Sequence, residues 1–281
     1  MRGRDTTLWK SRRKTVTEDQ NVRITVLGTG TSTGVPVLNC PCEICTSDNP
    51  KDKRLRCAVY VQAGGVNVLI DIGPDFRQQA FRAGIEHIDA VLITHHHFDH
   101  VVGMDDLRPY LFFNRSPIPL YAESGSADTL RSMFGYIFRD GSYPGVPNLE
   151  MHDVAGPFDV VSREDPTRTL RITPIPVVHG SLDILGFRIG GFAYLTDVSK
   201  IPNASYSLLK DLDIVVLDAL RDRPHPMHMT INKAIEAAGR IGARQTWFTH
   251  MSHEVLHRAL EERVPEGMAP AYDGLVLEAR L

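Results

Sequence analysis

The chain has 281 residues, 42% hydrophobic and 23% charged, enough apolar material for a large buried core and too much for a wholly disordered chain. A net charge of −3 lacks the basic excess of a general nucleic-acid binder. No stretch of 18 apolar residues and no leading signal-peptide core is seen, so the expectation is a cytoplasmic protein without membrane contact.

In chain order, Arg2, Arg4, Lys10, Arg12, Arg13 and Lys14 stand among Ser, Thr and Asp without apolar periodicity. Residues 1–21 are therefore predicted as a flexible basic arm and 22–281 as the folded domain. Val22 to Leu27 reads as a strand running into Gly28-Thr29-Gly30-Thr31-Ser32-Thr33-Gly34, a loop small enough to bring backbone close to an anion. Cys40, Cys42 and Cys45 follow within six residues. Clustered thiols of this kind suit a structural zinc, which takes four ligands. The fourth is either Cys57, in the strand-like stretch Cys57 to Val61 where a lone cysteine packs as a small hydrophobe, or a histidine from elsewhere in the chain.

Val66 to Ile70 is a second strand, ending at Asp71-Ile72-Gly73, where Asp71 serves either a turn or a metal-binding histidine. A helix is predicted over Asp75 to Ala83, with Phe76, Ala80 and Phe81 at helical spacing. The apolar run Ala90-Val91-Leu92-Ile93 then leads into Thr94-His95-His96-His97-Phe98-Asp99-His100. This T-H-x-H-x-D-H segment offers His95, His97, Asp99 and His100 as nitrogen and oxygen donors for two divalent cations. Only that register fits, and His96 faces away under period-two alternation.

Met104 to Phe113 reads as a helix carrying Arg108 toward the site, and the Pro/Gly-rich text from Pro117 to Pro157 reads as loops and short elements. Four later strands stop at chemistry-bearing residues. Leu170 to Val178 ends at His179, Phe192 to Leu195 at Thr196-Asp197, Ile214 to Leu217 at Asp218, and Thr246 to Thr249 at His250. A helix over Thr230 to Ile241, capped by Thr230 and stopped by Gly242, puts Ile231, Ala234, Ile235, Ala238 and Ile241 on one face. Functional side chains gathered past buried strand ends are what an open-sheet active site needs. In the resulting expectation His95, His97 and His179 hold one ion, Asp99, His100 and His250 the other, and Asp197 bridges them.

With these residues in hand, the chain resembles the metallo-β-lactamase superfamily, whose signature is H-x-H-x-D-H followed by a distant His, Asp and His. The resemblance runs from Val22 to the C-terminus. It implies an α/β (α+β) fold, a four-layer αββα sandwich with a dinuclear site along one edge of the sheets. The carboxylate at Asp197 matches the hydrolase branches and argues against antibiotic hydrolysis. Gly28-Thr29-Gly30, Gly34-Val35-Pro36, Cys40-x-Cys42-x-x-Cys45 and Thr249-His250-Met251-Ser252-His253 resemble the PhnP-type phosphodiesterases more narrowly. That likeness implies a structural zinc on Cys40, Cys42 and Cys45 completed by His253. Met227-His228-Met229-Thr230 matches the segment that carries a general acid in these enzymes, which makes His228 that acid, with Asp218 to orient it.

The resemblance thus implies a dinuclear metal-dependent phosphodiesterase, loaded with Zn or Mn, that acts on a small cyclic phosphate or nucleotide-like phosphodiester. A metal-bridging hydroxide attacks, Asp99 and Asp197 serve as catalytic carboxylates, and His228 protonates the leaving alkoxide. Thr31, Ser32, Thr33, Arg108 and Ser252 are the candidate substrate contacts. A tRNase Z-like nuclease is the nearest alternative, disfavoured by the lack of a basic excess outside the arm. A lactone or thioester hydrolase would not need the acid at His228. A non-catalytic ligand sensor sits poorly with a complete ligand set. No general nucleic-acid or membrane partner is expected, and homodimerisation is left open.

Overall fold

Alternate residues of the long apolar runs face two different cores, which is why those runs are apolar throughout rather than every second position. In the computed structural model, which describes residues 21–112, 114, 116–139 and 145–281, the strands follow as β1 (Asn21–Gly28), β2 (Ala58–Ala63), β3 (Val66–Ile70), β4 (Ala90–Leu92), β5 (Ile118–Ala122), β6 (Leu149–Asp153), β7 (Phe158–Val161), β8 (Thr169–His179), β9 (Leu182–Ile189), β10 (Phe192–Leu195), β11 (Ile214–Asp218), β12 (Gln245–Thr249), β13 (Met268–Pro270) and β14 (Val276–Arg280). The predicted arm lies outside the described residues except for Asn21, which opens β1 one position earlier than expected.

Two seven-stranded sheets result, ordered β14-β1-β2-β3-β4-β5-β6 and β13-β12-β11-β10-β9-β8-β7. Between them lies one core, to which β1 contributes Val22, Ile24 and Val26, β2 Val59 and Val61, β10 Phe192 and Tyr194, and β11 Ile214 and Val216. The opposite faces are covered by helices. These are, in chain order, α1 (Glu43–Thr46), α2 (Phe76–Ala83), α3 (Phe98–Val101), α4 (Ser124–Met133), α5 (Gly135–Phe138), α6 (Ile231–Ile241) and α7 (His257–Arg263). Phe76 of α2 and Leu130 of α4 pack with Leu69 and Val91 on the outside of the first sheet. Ile231, Ala234 and Ile241 of α6 and Leu260 of α7 pack with Val215 and Leu217 on the outside of the second. Three stacked cores make the expected αββα sandwich.

Thr230 caps α6 through Oγ1, which accepts the N–H of Lys233, and Gly242 ends it in the left-handed conformation with φ 70°. Among the described residues no helix is long and apolar enough to cross a membrane.

The structure departs from expectation in three places. On α2 the buried face is Phe76 with Gln79, whose amide donates to the Arg56 carbonyl, and Phe81 is 73% exposed. The segment expected as a helix from Met104 is a series of 3-10 turns over Val102–Leu111, and its expected end at Phe113 lies outside the described residues. Gly103 is tied by its N–H to the Ile72 carbonyl against Gly73, and Pro109 offers no N–H, so regular α-helix is interrupted at both ends. The Pro/Gly-rich region holds more order than predicted, since β5, α4, α5 and β6 all fall within it.

Candidate metal centres and active site

β3, β4 and β5 run parallel, as do β10, β11 and β12, so their carboxyl ends open side by side. Just past β3, Asp71 takes φ 63°, a left-handed backbone uncommon for a residue with a side chain. Asp197 after β10 (57°) and His250 after β12 (59°) do the same. Strain of this kind persists where the surroundings enforce it, and all three residues turn into one cluster.

Asp71 organises the T-H-x-H-x-D-H turn. Its Oδ1 accepts from the Thr94 backbone N–H at 2.9 Å, and Oδ2 faces His100 Nδ1 at 2.7 Å. The backbone of Ile72 donates to the His100 carbonyl at 2.7 Å, and a Cβ at Gly73 would overlap the Asp99 carbonyl, so only glycine lets the turn approach this closely. Thr94 Oγ1 gives its hydrogen to Asp71 and thus accepts from His95 Nδ1 at 3.0 Å. His179 Nδ1 donates to the Met227 carbonyl at 2.9 Å. In His95, His100 and His179 alike, Nδ1 is committed and Nε2 is left to serve as a donor atom.

Those atoms converge. His95, His97 and His179 offer donor atoms all within 4.8 Å of one another, as do His95, His100 and Asp197. Asp197 reaches both sides, with Oδ2 3.2 Å from His100 Nε2 and 3.0 Å from His250 Nδ1, and Oδ1 3.9 Å from His95 Nε2. Asp99 stands beside the group, 3.3 Å from His100 Nε2. His96 turns away to Ser126 Oγ at 3.1 Å, as its position in the motif predicts. His228 was expected only as an acid, yet it enters two further groups, with His179 and Asp197 and with Asp218 and His250. Its Nδ1 faces Asp218 Oδ1 at 3.2 Å, and its ring stacks on His250 at 4.6 Å and meets His179 edge-on at 4.8 Å.

Burial holds His95 and His97 below the usual imidazole range and brings His179 down to about 4. These three are neutral near pH 7, and the His95 Nε2 lone pair meets His97 Nδ1 at 3.0 Å. Burial would depress His100 as well, but Asp197, Asp71 and Asp99 together carry it well above its ordinary value. Burial would raise Asp197, yet His250 and His100 keep it ionised. The buried His100 Nε2 sits between two carboxylates and has no hydrogen-bond partner among the described residues. An orphaned nitrogen beside ionised carboxylates and neutral imidazoles is a donor set that suits divalent cations.

The second cluster lies on the Gly/Thr-loop side. Cys40, Cys42 and Cys45 Sγ stand 3.3, 3.6 and 3.6 Å from His253 Nδ1. The Cys45 backbone N–H holds the Cys42 thiol down to about 6, and burial pushes Cys45 up to about 11. Cys57 takes no part, being buried against the Gly30 carbonyl and Thr249 Oγ1. Three thiols and one imidazole nitrogen fit a closed tetrahedral zinc.

Of the expected substrate contacts, Thr31 Oγ1 faces His250 Nε2 at 3.2 Å, and Ser32 and Thr33 are exposed on the same loop. Ser252 Oγ accepts the Glu254 N–H and Arg108 pairs with Asp105 at 2.8 Å, so both are already engaged within the chain. Sequence reasoning missed Arg54, whose side chain is fully buried and donates to the carbonyls of Ser252 (3.3 Å) and Val255 (2.8 Å), on either side of His253. It also missed His225, whose ring lies 5.0 Å from that of His228. The spacing His225-Pro226-Met227-His228 was its only signal.

A family profile described as a beta-lactamase superfamily domain matches residues 66–251. The chain is 41% identical to an octanoyltransferase of Porphyromonas gingivalis over 90% of its own length, and it spans about half (51%) of that protein. It is 34% identical to coenzyme PQQ synthesis protein B of Methylobacterium radiotolerans, covering 91% of this chain and 99% of the relative. Among solved structures, a diphosphatase from the PhnP family superposes with a TM-score of 0.84 at 43% identity, covering 93% of this chain and 99% of the other.

Proposed function

Since the chain belongs to the beta-lactamase superfamily, we propose that it is a metal-dependent hydrolase of small phosphoric diesters, cyclic or nucleotide-like, with His228 as general acid. The observation that carries this reading is His228 itself, stacked on His250 and edge-on to His179, one from each donor set, and backed by the buried carboxylate of Asp218. An acyl hydrolase has no need of an acid at that place. The PhnP-family diphosphatase, similar over nearly its whole length, supports phosphorus rather than carbon as the atom attacked.

His95, His97 and His179 would hold one cation, Asp99, His100 and His250 a second, and Asp197 would reach both, while Cys40, Cys42, Cys45 and His253 would hold a structural zinc. When bound, the paired cations supply Lewis-acid neutralisation of the phosphoryl oxygens and a lower pKa for the attacking water. Asp71 keeps His100 in register through Nδ1, and the Met227 carbonyl does the same for His179. Asp218 accepts the Met229 N–H at 3.0 Å as well as facing His228 Nδ1, which fixes the ring and leaves Nε2 to give a proton to the leaving oxygen. Thr31, whose Oγ1 lies 3.2 Å from His250 Nε2, would meet a phosphoryl oxygen.

The test is a panel of cyclic phosphates, linear phosphodiesters, lactones and thioesters offered to Zn- or Mn-loaded protein. The reading expects turnover of the phosphorus esters. Cleavage of thioesters or lactones with none of phosphodiesters would overturn it.

A further inference from the structure

Strand β7 pairs with β8 only as far as Ile172, and past that point no strand covers the same edge, which carries one isolated bridge from Val178 to Lys200. Pro174 and Pro176 sit on that stretch, where a missing N–H costs no ladder bond. Leu170 and Ile172 face the core between the sheets, so by strand alternation Pro174, Pro176 and Val178 turn to the same side. There, with Leu185 of β9, they line a cavity of about 350 Å³, a volume typical of small-molecule sites. The cavity adjoins residues flanking the His/Asp cluster at three points. Val178 directly precedes His179, the Leu185 N–H donates to the Thr94 carbonyl at 3.0 Å, and Glu123, on the cavity wall, accepts the N–H of Ser126, whose Oγ meets His96. The charge of the lining is one-sided. Glu123 and Asp183 are its only ionisable residues among the described ones, the Asp183 carboxylate has no hydrogen bond or ion pair among them, and no aromatic ring is in the lining.

We propose that this cavity is a specificity pocket for the organic arm of the diester, and that the group it takes is an alkylammonium. This rests on the phosphoric-diester reading above and narrows it. A diester whose phosphoryl lies at the His/Asp cluster would lay one ester arm past His179 along Val178 and Pro176, since successive strand residues advance about 3.3 Å each. Proline and aliphatic side chains there give methylenes an apolar contact but give a nucleobase no ring to stack on. Two carboxylates with no lysine or arginine in the lining repel a second anion and attract a cation. An ammonium on a short alkyl chain meets both conditions, with its carbons on the apolar floor and its charge against Glu123 and Asp183. Selection in this pocket is by charge rather than by stacking.

The experiment uses metal-loaded full-length protein with two nitrophenyl phosphodiesters that share a leaving group, one an ester of choline and the other of 3,3-dimethylbutanol, its uncharged isostere. KM should be about 10-fold lower for the choline ester at similar kcat, and in calorimetric titrations phosphocholine should bind about 10-fold more tightly than 3,3-dimethylbutyl phosphate. Asp183→Asn should cut both ratios to about 3-fold, and Asp183→Asn combined with Glu123→Gln, which keeps an acceptor for the Ser126 N–H, should abolish them. Equal affinities for the two phosphates in wild type, or a preference unchanged in the double variant, would overturn the pocket. Wild type inactive on every phosphorus ester would remove the reading beneath it, and the calorimetric ratio alone would then decide whether the pocket binds the cation.

Discussion

The His/Asp cluster hangs from the ends of buried strands, and its imidazoles are set by Asp71, Thr94 and the Met227 carbonyl. The Cys cluster instead joins a loop, which carries the four residues of α1 and a 3-10 turn over Pro50–Asp52, to the turn after β12. What holds that turn is the buried Arg54, with Asp52 accepting the His257 N–H at 2.8 Å. The difference is one of preorganisation. The first cluster's donors are oriented by the sheets before an ion arrives, whereas in the second the metal bonds themselves would close the loop. Losing ions from one should cost turnover and from the other stability.

The largest expected effect sharpens this contrast. Asp197→Ala should lower turnover by more than about 10³-fold and remove the ions of the His/Asp cluster, while circular dichroism and the zinc on the cysteines are retained. Loss of all metal in that variant would erase the distinction between the clusters. His228→Ala is next, with a fall of about 10²-fold on alkyl phosphodiesters and much less on nitrophenyl esters, whose leaving groups need no proton. Equal falls on both would take the acid role from His228.

Cys42→Ser should release one zinc and lower the melting temperature by about 5 °C, while folded protein keeps most of its turnover. A variant that melts like wild type would mean that the cysteines staple nothing. The smallest effect concerns His257, buried beside the same turn with neither ring nitrogen hydrogen-bonded among the described residues, Nε2 lying 3.9 Å from Glu261 Oε1, and brought by burial to about 4. Because the unfolded chain takes up that proton near the ordinary value of 6.5, stability should be complete above it and fall as pH drops toward 4. Melting scans at pH 7 and pH 5 should show a smaller difference for His257→Gln than for wild type. Equal differences would rule His257 out as the source.

The two regions also differ in how far their residues could be read in the sequence. Asp197 and Asp218 stand out because strands buried on both faces are unbroken apolar runs, and a polar residue at the end of such a run is conspicuous, whereas His179 and His250 close strands of mixed polarity and are marked only by their place at the strand end. The convergence of their side chains with His95, His97 and His100 follows from parallel strands ending on one side. The left-handed backbone at Asp71, Asp197 and His250 leaves no mark in residue type, since it is imposed by the packed turn. Arg54 was invisible for a similar reason. A loop Asp-x-Arg reads as solvated, and only tertiary structure turns it inward to the Ser252 and Val255 carbonyls. Strand β5 and helix α4 were hidden because Pro119 and the Ser124-Gly125-Ser126 start resemble loop text, although Glu123 caps the helix through Ser126 N–H. Phe81 was misplaced because the buried face of α2 includes a glutamine that hydrophobic spacing does not count.

Metal stoichiometry by elemental analysis, on wild type, Asp197→Ala and Cys42→Ser purified side by side, tests the two-cluster account most directly. The account predicts about three ions per chain in wild type, about one in Asp197→Ala and about two in Cys42→Ser. Wild type with one ion or none after loading, or variants that lose the same ion, would contradict it.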